Sequence, residues 1–390
     1  MDLGLFMQML EWDSTSGKER AFSDWLVSRL AGFGKLERFE VGDGTENLLL
    51  SWGKPEVVFC THMDTVPPYI APQVVGGNTA LPEQSAGGCA VAPQGHTSAG
   101  RKKAVGNIGP IGSTKPSPQS PDDVIFGRGA CDAKGQIFAM LSACRSLASE
   151  GFDGFGLLLL SGEETGSWGA KAFAKTGFSA PFLIVGEPTE NLLVSAAKGT
   201  KSYDLKFSGE AFHSGYPEYG VSAVNLFNEF CSALGAVDFG NDPLLGATTW
   251  NIGLLESDNP QNILSPELKC RLYFRTTFVS DEAVVNYMEG VAIGRKGIVT
   301  AGLQGRISVT ARGGDAPQHY LVPEGFESAP VAFGSDAPHL SNFEHKIICG
   351  PGSIRHAHRS DEQISLPELE EAVKLYVRLF KHLYPWGASA

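Results

Sequence analysis

The sequence predicts an α/β domain with a mostly parallel mixed sheet, divided along the chain by an inserted α+β domain. Short apolar runs alternate with helical segments over residues 1–195, and buried strands that alternate with helices are typical of a parallel sheet. Over residues 196–312 the strands become half-exposed, and from residue 313 to 390 the first pattern returns. We therefore expect one domain over 1–195 and 313–390, with the second domain inserted into it.

The elements of the first domain follow from their apolar residues. Residues 5–33 predict a helix with a polar interruption, and FGLLLLS at 155–161 predicts a buried, leucine-rich strand. The other predicted elements are strands at 47–51, 57–61 and 182–186, helices at 136–149 and 167–176, and, in the returning part, PVAFGS, KIICG and a closing helix at 366–383.

The inserted domain has a different pattern. Residues 200–208, TKSYDLKFS, alternate between polar and apolar side chains, as a half-exposed antiparallel strand does. The elements that follow are a helix at 220–235, strands near 247–255 and 267–277, and a helix near 280–292. A β-α-β-β-α order is typical of a small ferredoxin-like unit.

Residues 73–123 form an unusual segment, crowded with Gly, Pro, Ala and Ser. No aromatic residue lies between Tyr69 and Phe126. Because such a stretch buries too little apolar surface to offset its ordering entropy, we expect a flexible insertion.

Composition excludes several classes of protein. The 390 residues carry 31 Lys and Arg against 43 Asp and Glu, a formal charge of −12. This balance argues against a broad nucleic-acid surface, because phosphate binding needs clustered positive charge. No run of about 18 apolar residues predicts a membrane span. The seven cysteines are scattered without a CxxC pair, which predicts free thiols and a cytoplasmic location.

The first motif that indicates chemistry is THMDTVP, at the end of a predicted strand. His62 and Asp64 stand two residues apart, so their side chains point the same way on extended backbone. Histidine is a natural zinc ligand, and a carboxylate nearby can accept its other ring N–H and fix the tautomer. The alternative is a polar strand end with a chance histidine.

Four carboxylates occupy similar positions. Asp132 lies in GRGACDAKG, where the alternative is an N-cap of the next helix. Glu163 and Glu164 directly follow the leucine-rich strand, and Glu187 follows the next buried strand. Adjacent acids at the end of a buried strand are costly unless a cation neutralises them, and open α/β sheets place their sites at this carboxyl edge. Exposed loop acids are the alternative.

The last motif is GPGSIRHAHRSDE, after the strand KIIC. Its candidates are His356, His358, Asp361 and Glu362, and the spacing does not choose between the two histidines. Five strand ends thus offer five oxygen or nitrogen ligands and one spare acid. That set suits two zinc-class ions that share a bridging carboxylate and water.

Together these motifs resemble those of the M20 metallopeptidase and deacetylase family. The matching segments, in the family's order, are THMDTVP, GRGACDAKG, SGEETGS, GEPTE and GPGSIRHAHRSDE. The resemblance implies a zinc-peptidase-like catalytic domain and a ferredoxin-like lid that often forms the dimer interface. It also implies two divalent metal ions, zinc first, with cobalt or manganese as alternatives.

The resemblance also assigns roles to residues of this sequence. Asp132 would bridge the two metals, Glu163 would be the general base, and Asp64 would orient a metal ligand. The family pattern Ala-His-x-x-Asp-Glu selects His358 over His356. The remaining ligands would be His62 and Glu187 on the first metal, and Glu164 and His358 on the second.

Three residues of the lid complete the implied site. His213, in a Gly-x-x-x-His-Ser setting, would reach a substrate carbonyl, in its own subunit or in the partner's. Asn262 and Arg275 stand where the family often holds a substrate carboxylate. The sequence departs from the family by lacking Gly-Gly shortly before this asparagine, and by the segment at 73–123.

The implied function is a metal-dependent amidohydrolase that removes the acyl group from an N-acyl amino acid. N-acetylornithine or a relative comes first, which would place the enzyme in arginine biosynthesis. A dipeptidase or carboxypeptidase is the alternative within the family, and a non-catalytic binding protein with a broken metal set is a more distant one. The implied partners are this small-molecule substrate and a second copy bound through the lid, without nucleic acid or membrane.

Overall fold

The computed structural model describes residues 1–42, 44–76 and 123–387. Its helices are α1 (Leu3–Leu10), α2 (Glu19–Leu30), α3 (Lys134–Ser149), α4 (Trp168–Phe173), α5 (Ala223–Gly235), α6 (Asp281–Ala292) and α7 (Leu366–Gly387). Its strands are β1 (Lys35–Gly42), β2 (Thr45–Trp52), β3 (Val57–His62), β4 (Gln73–Val75), β5 (Val124–Phe126), β6 (Phe155–Leu160), β7 (Ala180–Val185), β8 (Leu193–Ala197), β9 (Gly199–Ser208), β10 (Asn241–Asp242), β11 (Gly246–Ala247), β12 (Thr249–Glu256), β13 (Glu267–Thr276), β14 (Ile307–Gly313), β15 (Gln318–His319), β16 (Ser328–Val331), β17 (Phe343–Ile348) and β18 (Gln363–Ser365).

The main sheet has six strands in the order β1-β2-β6-β3-β7-β17. Strands β6, β3, β7 and β17 run parallel, while β2 is antiparallel to both β1 and β6. Every residue of β3 and β6 is buried, because helices α1, α3 and α7 cover one face and α4 packs on the other. The predicted mostly parallel mixed sheet is confirmed.

The second sheet has four antiparallel strands in the order β12-β13-β9-β14. Helices α5 and α6 pack on one face of it around Phe207, Phe230 and Leu272. Along β13 the even-numbered residues are buried against these helices, and the odd-numbered residues, from Lys269 to Arg275, face the other way. This is the ferredoxin-like arrangement predicted for the inserted domain.

Several elements differ from the sequence prediction. The helix predicted over 5–33 is two helices, because the mostly polar residues 11–18 separate them with irregular backbone in which Gly17 has a φ of +90°. Residues 73–75, predicted within the flexible segment, instead form β4 and pair antiparallel with β5, where the valines and the isoleucine of the two strands favour extended backbone. The rest of that segment, residues 77–122, lies outside the described residues.

Two further findings concern the membrane and cysteine predictions. Within the described ranges, none of the helices combines the length and apolar character that a membrane crossing needs. The described cysteines are free thiols, most of them buried. Cytoplasmic location stays a prediction.

Candidate metal centre and substrate cleft

Adjacent parallel strands bring the motifs to one edge of the main sheet. His62 is the last residue of β3, Glu163 and Glu164 follow β6, and Glu187 follows β7. Because these strands neighbour one another and run parallel, their carboxyl ends meet. The chain after β17 returns to the same edge and supplies His358.

Asp132 lies at the centre of this cluster. Its Oδ1 is 3.0 Å from Nε2 of His62, and its Oδ2 is 3.3 Å from Nε2 of His358. Two imidazole nitrogens therefore face different oxygens of one carboxylate, as two metal ligands around a bridging carboxylate do. Asp132 is not an N-cap, since α3 begins at Lys134 and its N-cap is Ala133.

The donor atoms fall into groups that fit two cations. One group is His62, Asp132 and Glu187, and another is Asp132, Glu164 and His358; within each, the ligand atoms lie within 4.8 Å of one another. They share Asp132, and they match the two ligand sets that the resemblance implies. Glu163 joins a third group with His62 and Glu164, which places its carboxylate beside both.

Asp64 contacts several members of the cluster through hydrogen bonds. It is fully buried, its backbone oxygen lies 2.9 Å from Nδ1 of His62, and its Oδ1 lies 3.4 Å from the same nitrogen. Its oxygens also accept hydrogen bonds from the Ser16 hydroxyl and from the backbone N–H groups of Glu163 and Glu164, at 2.8, 3.0 and 3.1 Å. Asp64 thus fixes both the first histidine and the turn that carries the two glutamates, and only the first of these roles follows from sequence.

The electrostatics of the cluster favour a cation. Burial and neighbouring carboxylates raise the pKa values of Glu163 and Glu187 well above the ordinary glutamate value. Burial alone would lower the pKa of His62, yet the hydrogen bonds that its ring donates to Asp132 and Asp64 raise that pKa well above normal. None of the described lysines and arginines forms an ion pair with Glu163, Glu164 or Glu187, so bound divalent cations would offset this buried negative charge.

The structure separates the two histidines of the last motif. His358 has a φ of +62°, and its Nε2 lies 2.9 Å from Oε1 of Glu164. His356 turns away, and its Nδ1 lies 3.2 Å from Nε2 of Gln363. The local turn, rather than an extended chain, decides which ring reaches the cluster.

Glu362 has a role that spacing did not reveal. Its Oε1 accepts hydrogen bonds from the backbone N–H groups of Gly129, Cys131 and Asp132, at 2.9 to 3.0 Å. Its Oε2 accepts one at 2.7 Å from the buried guanidinium of Arg128. Glu362 therefore holds in place the loop that presents Asp132. The Asp-Glu pair that ends the last motif was the only sequence signal for it.

Replacing Glu362 with alanine should destabilise the protein strongly. The variant leaves Arg128 buried without its carboxylate, and breaking such a pair costs about 3–5 kcal/mol. Chemical denaturation followed by circular dichroism measures the effect. The matched control is Asp361→Ala, because the neighbouring Asp361 pairs with Arg359 on the exposed side; equal midpoint shifts in the two variants would contradict the role given to Glu362.

A cavity of about 660 Å³ lies between the metal-ligand edge and the open face of the lid sheet. Among the residues that line it are Glu163, Glu187 and His358 on one side and Arg271, Arg275 and Arg312 on the lid. Arg275 has no carboxylate partner among the described residues. Its guanidinium lies 5.1 Å from the Tyr273 ring and 3.8 Å from the position that a Cβ on Gly334 would take, so it spans from the lid to the catalytic domain.

His213 and Asn262 lie elsewhere on the lid. His213 forms a backbone bridge with Ile263, and the backbone oxygen of Asn262 accepts a hydrogen bond from Ser214 at 2.9 Å. Both side chains are exposed, and neither lines the cavity. The structure thus brings Arg275 to the metal-ligand cluster of its own chain, but not His213 or Asn262, whose roles stay predictions.

Comparison with known families decides the wider identity. The family model of peptidase family M20/M25/M40 matches residues 107–382. The chain belongs to this family. The predicted M20 resemblance is confirmed, and with it a metal-dependent hydrolase that acts on linear amide bonds.

Relatives of this M20 protein cover nearly its whole length. A Peptidase M20 domain-containing protein of Schizosaccharomyces pombe is 30% identical over 97% of this chain and 83% of its own. A probable carboxypeptidase of Emericella nidulans is 28% identical over 97% of this chain and 88% of its own.

Solved structures share the fold. A tripeptidase from Staphylococcus aureus aligns with a TM-score of 0.74 at 19% identity, over 98% of this chain and 97% of its own. The M20 family metallo-carboxypeptidase Sso-CP2 from Sulfolobus solfataricus aligns with a TM-score of 0.66 at 15% identity, over 98% and 99%. These likenesses confirm the predicted fold of catalytic domain and lid.

Proposed function

We propose that this M20 protein is a metal-dependent exopeptidase that cleaves dipeptides and short peptides before a C-terminal residue with a free carboxylate. The observation that carries the proposal is Arg275, whose guanidinium has no carboxylate partner in the part of the chain that the structure describes and lines the same cavity as the metal-ligand cluster. A guanidinium recognises a carboxylate through two parallel hydrogen bonds. The names of its carboxypeptidase relatives support the same activity.

The chemistry of the site follows from its residues. Two divalent cations held by His62, Asp132, Glu164, Glu187 and His358, zinc first, would polarise the amide carbonyl and lower the pKa of a water molecule. Glu163, beside that position, would take the proton of the water and return it to the leaving amine. Arg275 would hold the substrate carboxylate and so set the scissile bond opposite Glu163.

Removal of an acyl group from an N-acyl amino acid, N-acetylornithine above all, remains the second candidate. It needs the same cations, base and carboxylate contact, so the cluster alone does not separate the two. The relatives' names support the peptidase better, and neither they nor the site supports a place in arginine biosynthesis. A non-catalytic binding protein would need a broken metal set, yet all five ligands lie at one edge.

A substrate panel tests the proposal. We expect the zinc-loaded enzyme to hydrolyse Leu-Leu, and to lose this activity with a chelator. Leu-Leu-amide should be poorer by about 30-fold or more in kcat/KM, because the charge partner of Arg275 is missing. The variant Arg275→Gln should remove this preference. Hydrolysis of N-acetylornithine or other N-acetyl amino acids without cleavage of dipeptides would favour the deacetylase instead.

We also propose that the lid forms a homodimer. Strand β12 lies at the edge of the lid sheet, with Trp250, Leu254 and Leu255 exposed, and an unpaired apolar edge is a template for pairing with another chain. His213 would then reach the cavity of the partner subunit rather than its own.

Analytical ultracentrifugation tests this dimer. We expect wild type to sediment as a dimer and the double variant Leu254→Asp, Leu255→Asp as a monomer. The control Ile293→Asp, at an exposed apolar residue just after α6, should stay a dimer. An active wild-type monomer at micromolar concentration would rule the proposal out.

A further inference from the structure

The wall of the cavity that the lid supplies carries more positive charge than one substrate carboxylate needs. Arg275 lies beside Gly334 at the catalytic side, and Arg271 stands four residues earlier on the same face of β13. Arg312, from β14, lines the same cavity. If Arg275 holds the C-terminal carboxylate, Arg271 and Arg312 are left without an explained function.

These two arginines share one carboxylate. Asp204 stands directly opposite Arg271 on β9, and its oxygens accept from Nε and Nη2 of Arg271 at 2.7 and 3.2 Å. Nε of Arg312 lies 3.6 Å from Oδ2 of the same Asp204. One negative charge therefore faces two positive charges, and a net positive charge remains on the cavity wall.

The backbone around Arg312 is irregular in a way that can turn its side chain toward the cavity. The pairing of β14 with β9 shifts register between Ala311 and Gly313, so Arg312 sits in a β-bulge. Bulges re-aim side chains and are frequent beside active sites. Thr310, two residues earlier, pairs directly with Asp204, which brings this strand to the same point.

Among the described residues, an acid just beyond the end of β14 already has its own partners. Asp315, which also lines the cavity, has its Oδ2 3.4 Å from Nε2 of His339, and its backbone N–H donates a hydrogen bond to the Thr200 hydroxyl at 3.0 Å. It is therefore not positioned to neutralise Arg271 or Arg312. A carboxylate brought by the substrate would do so.

We propose that the enzyme prefers peptides with an acidic side chain on the residue before the scissile bond, and that Arg271 and Arg312 bind this second carboxylate. The inference rests on the proposed exopeptidase function and adds its substrate class. Two guanidinium groups that share one carboxylate can bind a second carboxylate by donating parallel hydrogen bonds to it. This geometry selects both the charge and the orientation of the substrate side chain.

The spacing of the arginines decides which substrate residue carries the acid. Four residues of strand separate the Cα atoms of Arg271 and Arg275 by about 13 Å, at roughly 3.3 Å per residue. The side-chain carboxylate of a C-terminal Glu stays close to its own α-carboxylate, beside Arg275. An acid one residue upstream extends toward Arg271, so the upstream position fits better.

Four dipeptides test the inference with the zinc-loaded enzyme at neutral pH. We expect kcat/KM for Glu-Leu to exceed that for Gln-Leu by about tenfold, mostly through KM, since hydrogen bonds to a charged group are the stronger ones. The pair Leu-Glu and Leu-Gln should differ far less. A preference confined to Leu-Glu would overturn the placement, and equal rates within both pairs would overturn the inference.

Variants then assign the preference to the two arginines. Arg271→Gln and Arg312→Gln should each bring the Glu-Leu to Gln-Leu ratio down toward one, and Asp204→Asn should raise it, because the competing carboxylate is gone. Lys269→Gln is the matched control, since Lys269 lies on the same face of β13 but pairs with Glu267 and does not line the cavity. A ratio that survives in both arginine variants would contradict their role.

The dipeptide assays distinguish failure of the acid preference from failure of the proposed exopeptidase function. Cleavage of all four dipeptides without an acid preference leaves the exopeptidase standing and removes only the role of Arg271 and Arg312. Failure to cleave any dipeptide, with activity on N-acetyl amino acids, removes the exopeptidase first. Arg312 is the more exposed of the two arginines, so Arg312→Gln remains informative if Arg271→Gln does not fold.

Discussion

Replacing Glu163 with glutamine is expected to lower kcat on a dipeptide by about 10²- to 10⁴-fold, while metal content and KM change little. Glutamine keeps the shape of the side chain and fits the same half-buried position, but its amide cannot accept a proton from water. Glu163 is also outside the two ligand groups that share Asp132. The loss should therefore fall on proton transfer and not on assembly of the site.

Elemental analysis and steady-state kinetics on the same preparations check this expectation. Glu344→Gln is a suitable control, because Glu344 lies exposed on β17 in the same domain. We expect it to match wild type in both measurements. A Glu163→Gln enzyme that keeps more than a tenth of wild-type kcat would mean that another group acts as the base.

Part of this site could be predicted from sequence because three of its side chains end a buried strand or follow one within three residues. His62, Glu163 and Glu187 follow runs so apolar that their strands had to lie inside a parallel sheet, and parallel strands place their carboxyl ends together. Neither step needs information from distant parts of the chain. The fold class and the metal edge follow from these short-range patterns.

Contacts between segments that are distant in sequence could not be predicted from these short-range patterns. Glu362 binds the loop of Asp132 across 230 residues of chain. The contact of Asp204 with both Arg271 and Arg312 depends on the register of three strands. A shift of one residue in that register would turn these side chains to the other face of the sheet. His358 could be told from His356 only by resemblance, because the turn with positive φ that separates them is not visible in spacing.

Two of the lid residues predicted from sequence differ in whether they line the cavity. Arg275 lines the cavity of its own chain, whereas the exposed His213 does not. A sequence describes one chain, so it cannot say whether a side chain acts in that chain or in a partner. The exposed edge of β12 is the structural observation that makes the dimer a testable explanation.

Replacing Asp132 with asparagine is expected to weaken both metal sites at once, and to lower activity more than the loss of any other single ligand. Its two oxygens face Nε2 of His62 and Nε2 of His358, so one side chain serves two groups of donors. An asparagine offers one neutral oxygen and an NH₂ group that cannot bind a cation. Ligands that belong to one group, Glu187 or His358, should affect one site only.

Metal titration of the three variants tests this difference. We expect Glu187→Gln and His358→Ala each to retain one cation with near wild-type affinity, and Asp132→Asn to retain neither. Circular dichroism controls for folding, because Asp132 also donates its backbone N–H to Glu362, a bond that the asparagine variant keeps. If Asp132→Asn still holds one cation as tightly as wild type, then its two oxygens serve a single ion, and the assignment of a shared ligand is wrong.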